Sequence, residues 1–236
     1  MIDARIPGGS WIMRQRWHNL LFLHWPVPAQ ILRPHIPAAI HIDTYNGSAW
    51  LSVVAFSMSG VRFRMLPPVP TASRFAELNL RTYVTCHGHS GVWFFSLDAQ
   101  STLAALTARM AGLPYHRALM HVQCETRTIE YSSRRVPAPD HTARFAATYG
   151  SGCSKVPSPP GSLEYFLTER YAMFWQRKGI RRIDIAHSRW ELFDAYAHIE
   201  VNTIAEGAQL PGLHAPASLQ FATGKDVLFW PPVSVP

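Results

Sequence analysis

The sequence predicts an α+β chain of mainly antiparallel β structure, folded as one closed or strongly curled sheet with a minority of short helices. Three observations lead there. Hairpin signals recur along the chain, convincing helices are few, and strand–helix–strand alternation is not evident.

Residues 29–36 read as a short helical turn between Pro28 and Pro37, followed by a strand from Ile40 to Tyr45. Asn46-Gly47 is the strongest hairpin signal, because both residues accept the positive φ of a primed turn. The return strand SAWLSVVAFSMSGVRF is long, and Gly60 suits a bend or bulge within it. After the Pro-rich loop MLPPVPTAS, FAELNLRTYVTC alternates almost strictly. Phe75, Glu77, Asn79, Arg81 and Tyr83 share one face, while Ala76, Leu78, Leu80, Thr82 and Val84 share the other. HGHSG supplies a turn into the strand VWFFSLDA, where Phe94 and Phe95 cannot share a face.

STLAALTARMAGL is the best helix, with Ser101 as N-cap and Gly112 and Pro114 ending it. HVQCETRTIEYSSRR and TARFAATYG read as another pair of strands, and SGCSKVPSPPGS as a breaker-rich loop. GSLEYFLTERY predicts a short helix, and RYAMFWQRKGIRRIDIAHS a hairpin turning at Lys178-Gly179. Further strands and a short helix occupy SRWELFDAYAHIEVNTIAEG, with one more strand near SLQFATG. With no internal repeat, residues 1–236 read as a single domain, and the break near residue 150 as a loop within it.

The 236 residues are 47% hydrophobic and 16% charged, enough apolar content for a sizeable core. No apolar run reaches bilayer-spanning length, and the first residues lack a secretion signal. Three scattered cysteines suggest neither a disulfide framework nor a cysteine zinc site, so a cytoplasmic protein is expected. The net charge of +7 invites a nucleic-acid reading. Yet adjacent arginines occur only at Arg134-Arg135 and Arg181-Arg182, and no recognition motif accompanies them.

The residues offer one constellation of interest. The face Glu77, Asn79, Arg81 and Tyr83 is either the wet side of a half-buried strand or the lining of a barrel, and alternation leaves both open. Twelve histidines include the close pairs His87/His89 and His116/His121, but no metal-ligand spacing appears. There is no nucleophile elbow or phosphate loop, so neither a metal nor a cofactor is expected.

The segments WHNLLFLHWPVP, LRPHIP, IDTYNGSAWLSVVAFSM, FAELNLRTYV, GVWFFSLDA, GLPY and YSSRR together resemble the YqjF-like bacterial family, within the acetoacetate decarboxylase-like superfamily. The combination of N-x-R-T-Y-V with L-P-Y carries the resemblance. It implies a cone-like antiparallel β-barrel with a few peripheral helices and an internal ligand cavity. In the decarboxylases a lysine forms a Schiff base with a keto acid, activated by an adjacent lysine. Those lysines follow a Gly-x-Pro step after a helix. The matching stretch here is Gly112-Leu113-Pro114, so Tyr115 and His116 stand where the lysine pair would be. The family's cavity glutamate corresponds to Glu77, which turns the Glu77–Tyr83 face inward. The resemblance also implies self-association into a homo-oligomer.

The leading expectation is therefore a cavity for a small, oxygenated, carboxylate-bearing ligand, with Arg81 as clamp and Asn79 and Tyr83 as further binding residues. An enzymatic version would use Glu77, Tyr115 and His116 as catalytic residues in lyase or hydrolase-type acid–base chemistry on an oxo acid. A Glu77–Arg81 pair would instead make the face structural. Lys155 reads as loop and Lys178 and Lys225 as turn, all solvated, which disfavours Schiff-base decarboxylation. Nucleic-acid binding through the basic surface is the weaker alternative.

Overall fold

The structure is a computed structural model that describes residues 7–68, 73–136 and 143–236. In chain order its elements are β1 (Met13–Val27), α1 (Ala29–Leu32), β2 (His41–Ile42), β3 (Ala49–Phe63), β4 (Phe75–Cys86), β5 (His89–Ala99), α2 (Thr102–Met110) and β6 (Tyr115–Cys124). Next come β7 (Ile129–Arg135), β8 (Arg144–Val156), α3 (Leu163–Thr168), β9 (Ala172–Gln176), β10 (Ile180–Ala186), β11 (Leu192–Asn202), β12 (Ser218–Phe229) and β13 (Val233–Val235).

Many local expectations hold for a physical reason. Asn46 and Gly47 both take positive φ, and Tyr45 and Ser48 exchange backbone hydrogen bonds across them. His87-Gly88 and Lys178-Gly179 turn the β4–β5 and β9–β10 hairpins in the same way. Ser101 caps α2 by accepting the Ala104 amide, and Gly112 ends that helix at φ 88. Gly60, at φ 62, lies where the β1–β3 register shifts.

Other expectations are corrected. The strand before Asn46 shortens to β2, which pairs with β4 rather than with β3. HVQCETRTIEYSSRR is a hairpin of β6 and β7, not one strand. SGCSKV continues β8 because Tyr196 and Asp194 of β11 lie directly over Gly150 and Gly152, where a Cβ would meet them at 2.3 Å. Those glycines mark close approach, not a loop. Lys155 lies in β8 and Lys225 in β12. Residues 69–72, part of the expected Pro-rich loop, lie outside the described residues, as do residues 137–142. The sheet is also mixed: β5 pairs in parallel with β6, across the α2 crossover, and with β9.

All strands join one sheet in the order β13-β10-β9-β5-β6-β7-β8-β11-β12-β1-β3-β4-β2, with additional β4–β5 and β10–β12 pairings. Following the ladders from β5 through β6, β7, β8, β11, β12, β1, β3 and β4 leads back to β5. A shorter circuit leads back through β9, β10, β12, β1, β3 and β4. Strands β1, β3, β4, β5 and β12 belong to both circuits.

This sharing explains why β4 is buried along both faces, one of the two readings that its alternation left open. One face is mainly apolar: Leu21, Leu78, Tyr131, Phe145, Tyr149 and Phe221, from facing strands of the longer circuit, form one cluster. The opposite face turns toward the shorter circuit. There Phe22, Phe56 and Trp190 pack together, as do Tyr83 with Leu167 and Val227 with Ile185, while Met173 of β9 joins the last two groups.

Candidate functional site

Antiparallel pairing brings same-face side chains of neighbouring strands into rows. One row runs Ser218, His24, Ser52, Arg81, Phe94 across β12, β1, β3, β4 and β5. The next runs Gln220, Phe22, Val54, Asn79, Leu97 and, across the parallel pairing, Tyr115. A third carries Phe56, Glu77 and Ala99. These rows place Glu77, Asn79, Arg81, Tyr83 and Tyr115 on one covered face.

Glu77 is 4% exposed, and its Oε2 accepts a 2.9 Å hydrogen bond from the Tyr115 hydroxyl. Burial pushes its carboxyl up to about 7, against the opposing pull of hydrogen bonds from Tyr115 and Asn79. The Tyr115 phenol is driven well above its ordinary range, first by burial and then by Glu77. Around neutral pH this pair holds an exchangeable proton in a water-poor setting. Asn79 is buried too, and its Oδ1 has no hydrogen-bond partner.

Arg81 lies further along the same strand, and among the described residues no carboxylate pairs with it. Its Nη2 donates to the Leu167 carbonyl at 3.3 Å, and the guanidinium lies 5.8 Å from the Phe22 ring centroid and 5.9 Å from that of Tyr83. Its Nε is buried without a partner. His24 and His187 feel its charge, though burial is the larger influence on both. Their imidazoles are held at about 3 and about 4, neutral at pH 7. A mostly covered cation beside two neutral histidines is a local excess of positive charge.

Covering elements seal this face. Ser162 caps α3 by accepting the Tyr165 amide, and α3 lays Phe166 against Tyr83 with ring centroids 5.2 Å apart. Arg170, tied to Asp43 at 2.6 Å, sits over both rings. Trp190 meets Phe22 edge-on at 5.3 Å, and its indole N–H donates to the Thr168 carbonyl.

The structure does not bring His116 to this group. Successive strand residues point to opposite faces, and His116 pairs in register with Asp98, on the side of the longer circuit. There the Arg135 Nε and Nη2 groups grip the Asp98 carboxylate, a buried pair tying β5 to β7. Burial, with help from Arg135 and Arg109, pushes His116 down to about 4.

Lys225 also differs from expectation. It is half-buried, its amine donates to Ser188 Oγ and the Arg189 carbonyl, and it lies 5.4 Å from the Trp190 ring centroid. Burial lowers its pKa.

Residues not foreseen are His24, Ser52, Gln220 and His187. His24 sits within the apolar run LLFLHW, 28 residues before Ser52. Only the β1–β3 register shows that they meet, and a polar residue alternating with Leu20 and Phe22 was the one available signal. Two clefts of about 590 and 330 Å³ lie elsewhere. The larger is bordered by Asp43, Tyr45, Phe166 and Arg170, so it abuts the far side of the Phe166 cover. Among the described residues, no group of three or more His, Cys, Asp or Glu side chains could hold a metal ion, and no helix is long and apolar enough to cross a membrane.

The architecture, mostly sheet with few helices, is the acetoacetate decarboxylase-like fold. Acetoacetate decarboxylase from Legionella pneumophila superposes with a TM-score of 0.64 at 11% identity, covering 95% of this chain and 90% of that one. The enduracididine biosynthesis enzyme MppR, complexed with pyruvate, superposes at 0.63 with 9% identity, over 99% and 93% of the two chains. At the sequence level, residues 14–226 match DUF2071, a family described as an uncharacterized conserved protein. The uncharacterized protein YqjF of Bacillus subtilis (strain 168) is 44% identical over 233 residues, covering 97% of this chain and 95% of that protein. The chain belongs to this family.

Proposed function

We propose that the chain binds a small, oxygenated, carboxylate-bearing compound on the Glu77–Arg81 face, inside a barrel formed by the closing strand circuits. The carrying observation is Arg81, a largely covered guanidinium without a carboxylate partner among the described residues. Leaving such a charge uncompensated is costly, and a ligand carboxylate relieves that cost. Around it, Asn79 Oδ1 and Arg81 Nε are buried and unpartnered, so polar capacity remains for a ligand to use. MppR, which shares the fold, is complexed with a small oxo acid, and this supports the same class of guest.

Chemistry on that guest is the second reading, favoured by Glu77. A carboxyl held at about 7 can accept or return a proton near neutral pH, and Tyr115 can donate to an oxygen that gains charge. His116, on the other face, takes no part. No Schiff-base step is proposed, since Lys155 and Lys178 are exposed and the Lys225 amine is engaged by Ser188 and Arg189.

Isothermal titration with acetoacetate and 3-hydroxybutyrate tests the binding reading. Wild type is expected to bind at least one of them, and Arg81→Ala to weaken that binding by tenfold or more, as for a lost charge-assisted hydrogen bond of roughly 1.5–3 kcal/mol. Binding of neither compound, or equal affinity in Arg81→Ala, would overturn it. Proton NMR of the bound compound separates a carrier from an enzyme.

A further inference from the structure

His24, Ser52 and Tyr83 form a closed triangle of polar atoms within the covered face. Ser52 Oγ lies 2.6 Å from His24 Nδ1 and 2.6 Å from the Tyr83 hydroxyl, which lies 3.4 Å from Nδ1. All three residues are fully buried. Among the described residues, neither hydroxyl has a partner outside the triangle, so its protons can be counted.

Each hydroxyl brings one proton that must be accepted. If Nδ1 also carried a proton, it would donate to Ser52 and Ser52 to Tyr83, leaving the Tyr83 proton without an acceptor. If Nδ1 is bare, two arrangements satisfy both protons. Tyr83 donates to Ser52 and Ser52 to Nδ1, or Ser52 donates to Tyr83 and Tyr83 to Nδ1. Both leave the single proton of the neutral imidazole on Nε2. The nearby Arg81 charge opposes a second ring proton. The Gln220 side chain acts on the ring in the opposite sense to Arg81, but weakly, and neither His24 Nε2 nor Gln220 Oε1 has a hydrogen-bond partner among the described residues.

We propose that His24 is a ligand-binding residue that donates its Nε2–H to an oxygen of the bound compound, with Ser52 and Tyr83 as the positioning residues that hold this tautomer. With Arg81 Nε, the site then offers two unused donors from one row of the sheet. Two donors fit a compound in which a carboxylate is accompanied by a second oxygen, a carbonyl or hydroxyl. This rests on the reading of the Arg81 face as a carboxylate site.

The test is long-range proton–nitrogen NMR of the full chain carrying nitrogen-15 in its histidines, with His24 assigned from the spectrum of His24→Gln. The free protein is expected to show His24 bare at Nδ1 and protonated at Nε2, and saturating acetoacetate or 3-hydroxybutyrate to move the Nε2 signal. The paired variant Ser52→Ala/Tyr83→Phe should lose the single-tautomer pattern. His24→Gln, whose amide N–H reaches the place of Nε2, should keep affinity within about threefold, while His24→Asn loses about tenfold. A ring protonated at Nδ1 in the free protein, or an Nε2 signal unmoved by a probe that calorimetry shows to bind through Arg81, overturns this inference alone. Failure of both probes to bind overturns it together with the carboxylate reading.

Discussion

Glu77 enters the folded state as a carboxyl already partly protonated at neutral pH, and that has a thermodynamic consequence. Its pKa rises from 4.5 to about 7 on burial. A raised folded-state pKa means its contribution is fully present below pH 4.5 and is lost as pH climbs through 7. Glu77→Gln removes this dependence. Relative to wild type, the variant is expected to gain up to about 3 kcal/mol as pH rises from 4.5 past 7. Urea unfolding at pH 5 and pH 8 measures it, and parallel profiles would contradict the assignment. His24, His116 and His187 act in the opposite sense. Their depressed values, between about 3 and about 4, give stability that is present above pH 6.5 and lost as pH falls through those values. At this scale the sequence was informative about Glu77 and Tyr115 through the family resemblance, which matches them to the cavity glutamate and to the position after the Gly-x-Pro step; alternation alone left the Glu77 face open. The sequence was silent on His24, whose meaning depends on a hydroxyl 28 residues away. For Tyr115 and His116, strand alternation separates two neighbours that the family resemblance had placed at one site.

Elements decide how well such pieces reach one face. The turns were legible because Asn46-Gly47, His87-Gly88 and Lys178-Gly179 declare themselves through positive φ. The longer-range pairing partners were not legible: β2 crosses to β4, and β5 takes two parallel neighbours, β9 and β6, at successive stretches of the edge opposite β4. One of those contacts rests on a single glycine. A Cβ on Gly91 would stand 2.4 Å from the Ala172 carbonyl oxygen, backbone that cannot move without shifting β9. Gly91→Ala is therefore expected to cost about 1–3 kcal/mol, as overpacking against a fixed wall does. Because β9 helps cover the Arg81 face, acetoacetate binding should weaken as well. Chemical denaturation checks the first effect, and a change below about 0.5 kcal/mol would show that the β5–β9 contact yields freely.

At the scale of the whole molecule, the two strand circuits differ in how their buried polar groups are satisfied: Asp98 and Arg135 pair on the side of the longer one, while Arg81 lacks such a partner among the described residues on the side of the shorter. β1 pairs with β12 from Met13↔Phe229 to His24↔Ser218, so the walls carrying His24 and Gln220 come from opposite ends of the chain. Mainly β structure could be read from hairpin signals and sparse helices. The shorter circuit could not, since it exists only through the β5–β9 and β10–β12 contacts, neither of which leaves a local mark. The wider circuit is packed mainly with Leu, Phe and Tyr and pairs its buried Asp98 with Arg135, whereas the shorter one keeps a guanidinium without a carboxylate partner among the described residues, beside an amide and a neutral imidazole with unspent hydrogen-bonding capacity. A crystal structure of the chain grown with acetoacetate is the most direct trial of that contrast. The account predicts density for the carboxylate within hydrogen-bond distance of Arg81 Nε, on the face shared with Asn79 and His24. Density confined to the outer cleft beside Arg170, or an Arg81 satisfied by ordered water alone, would contradict it.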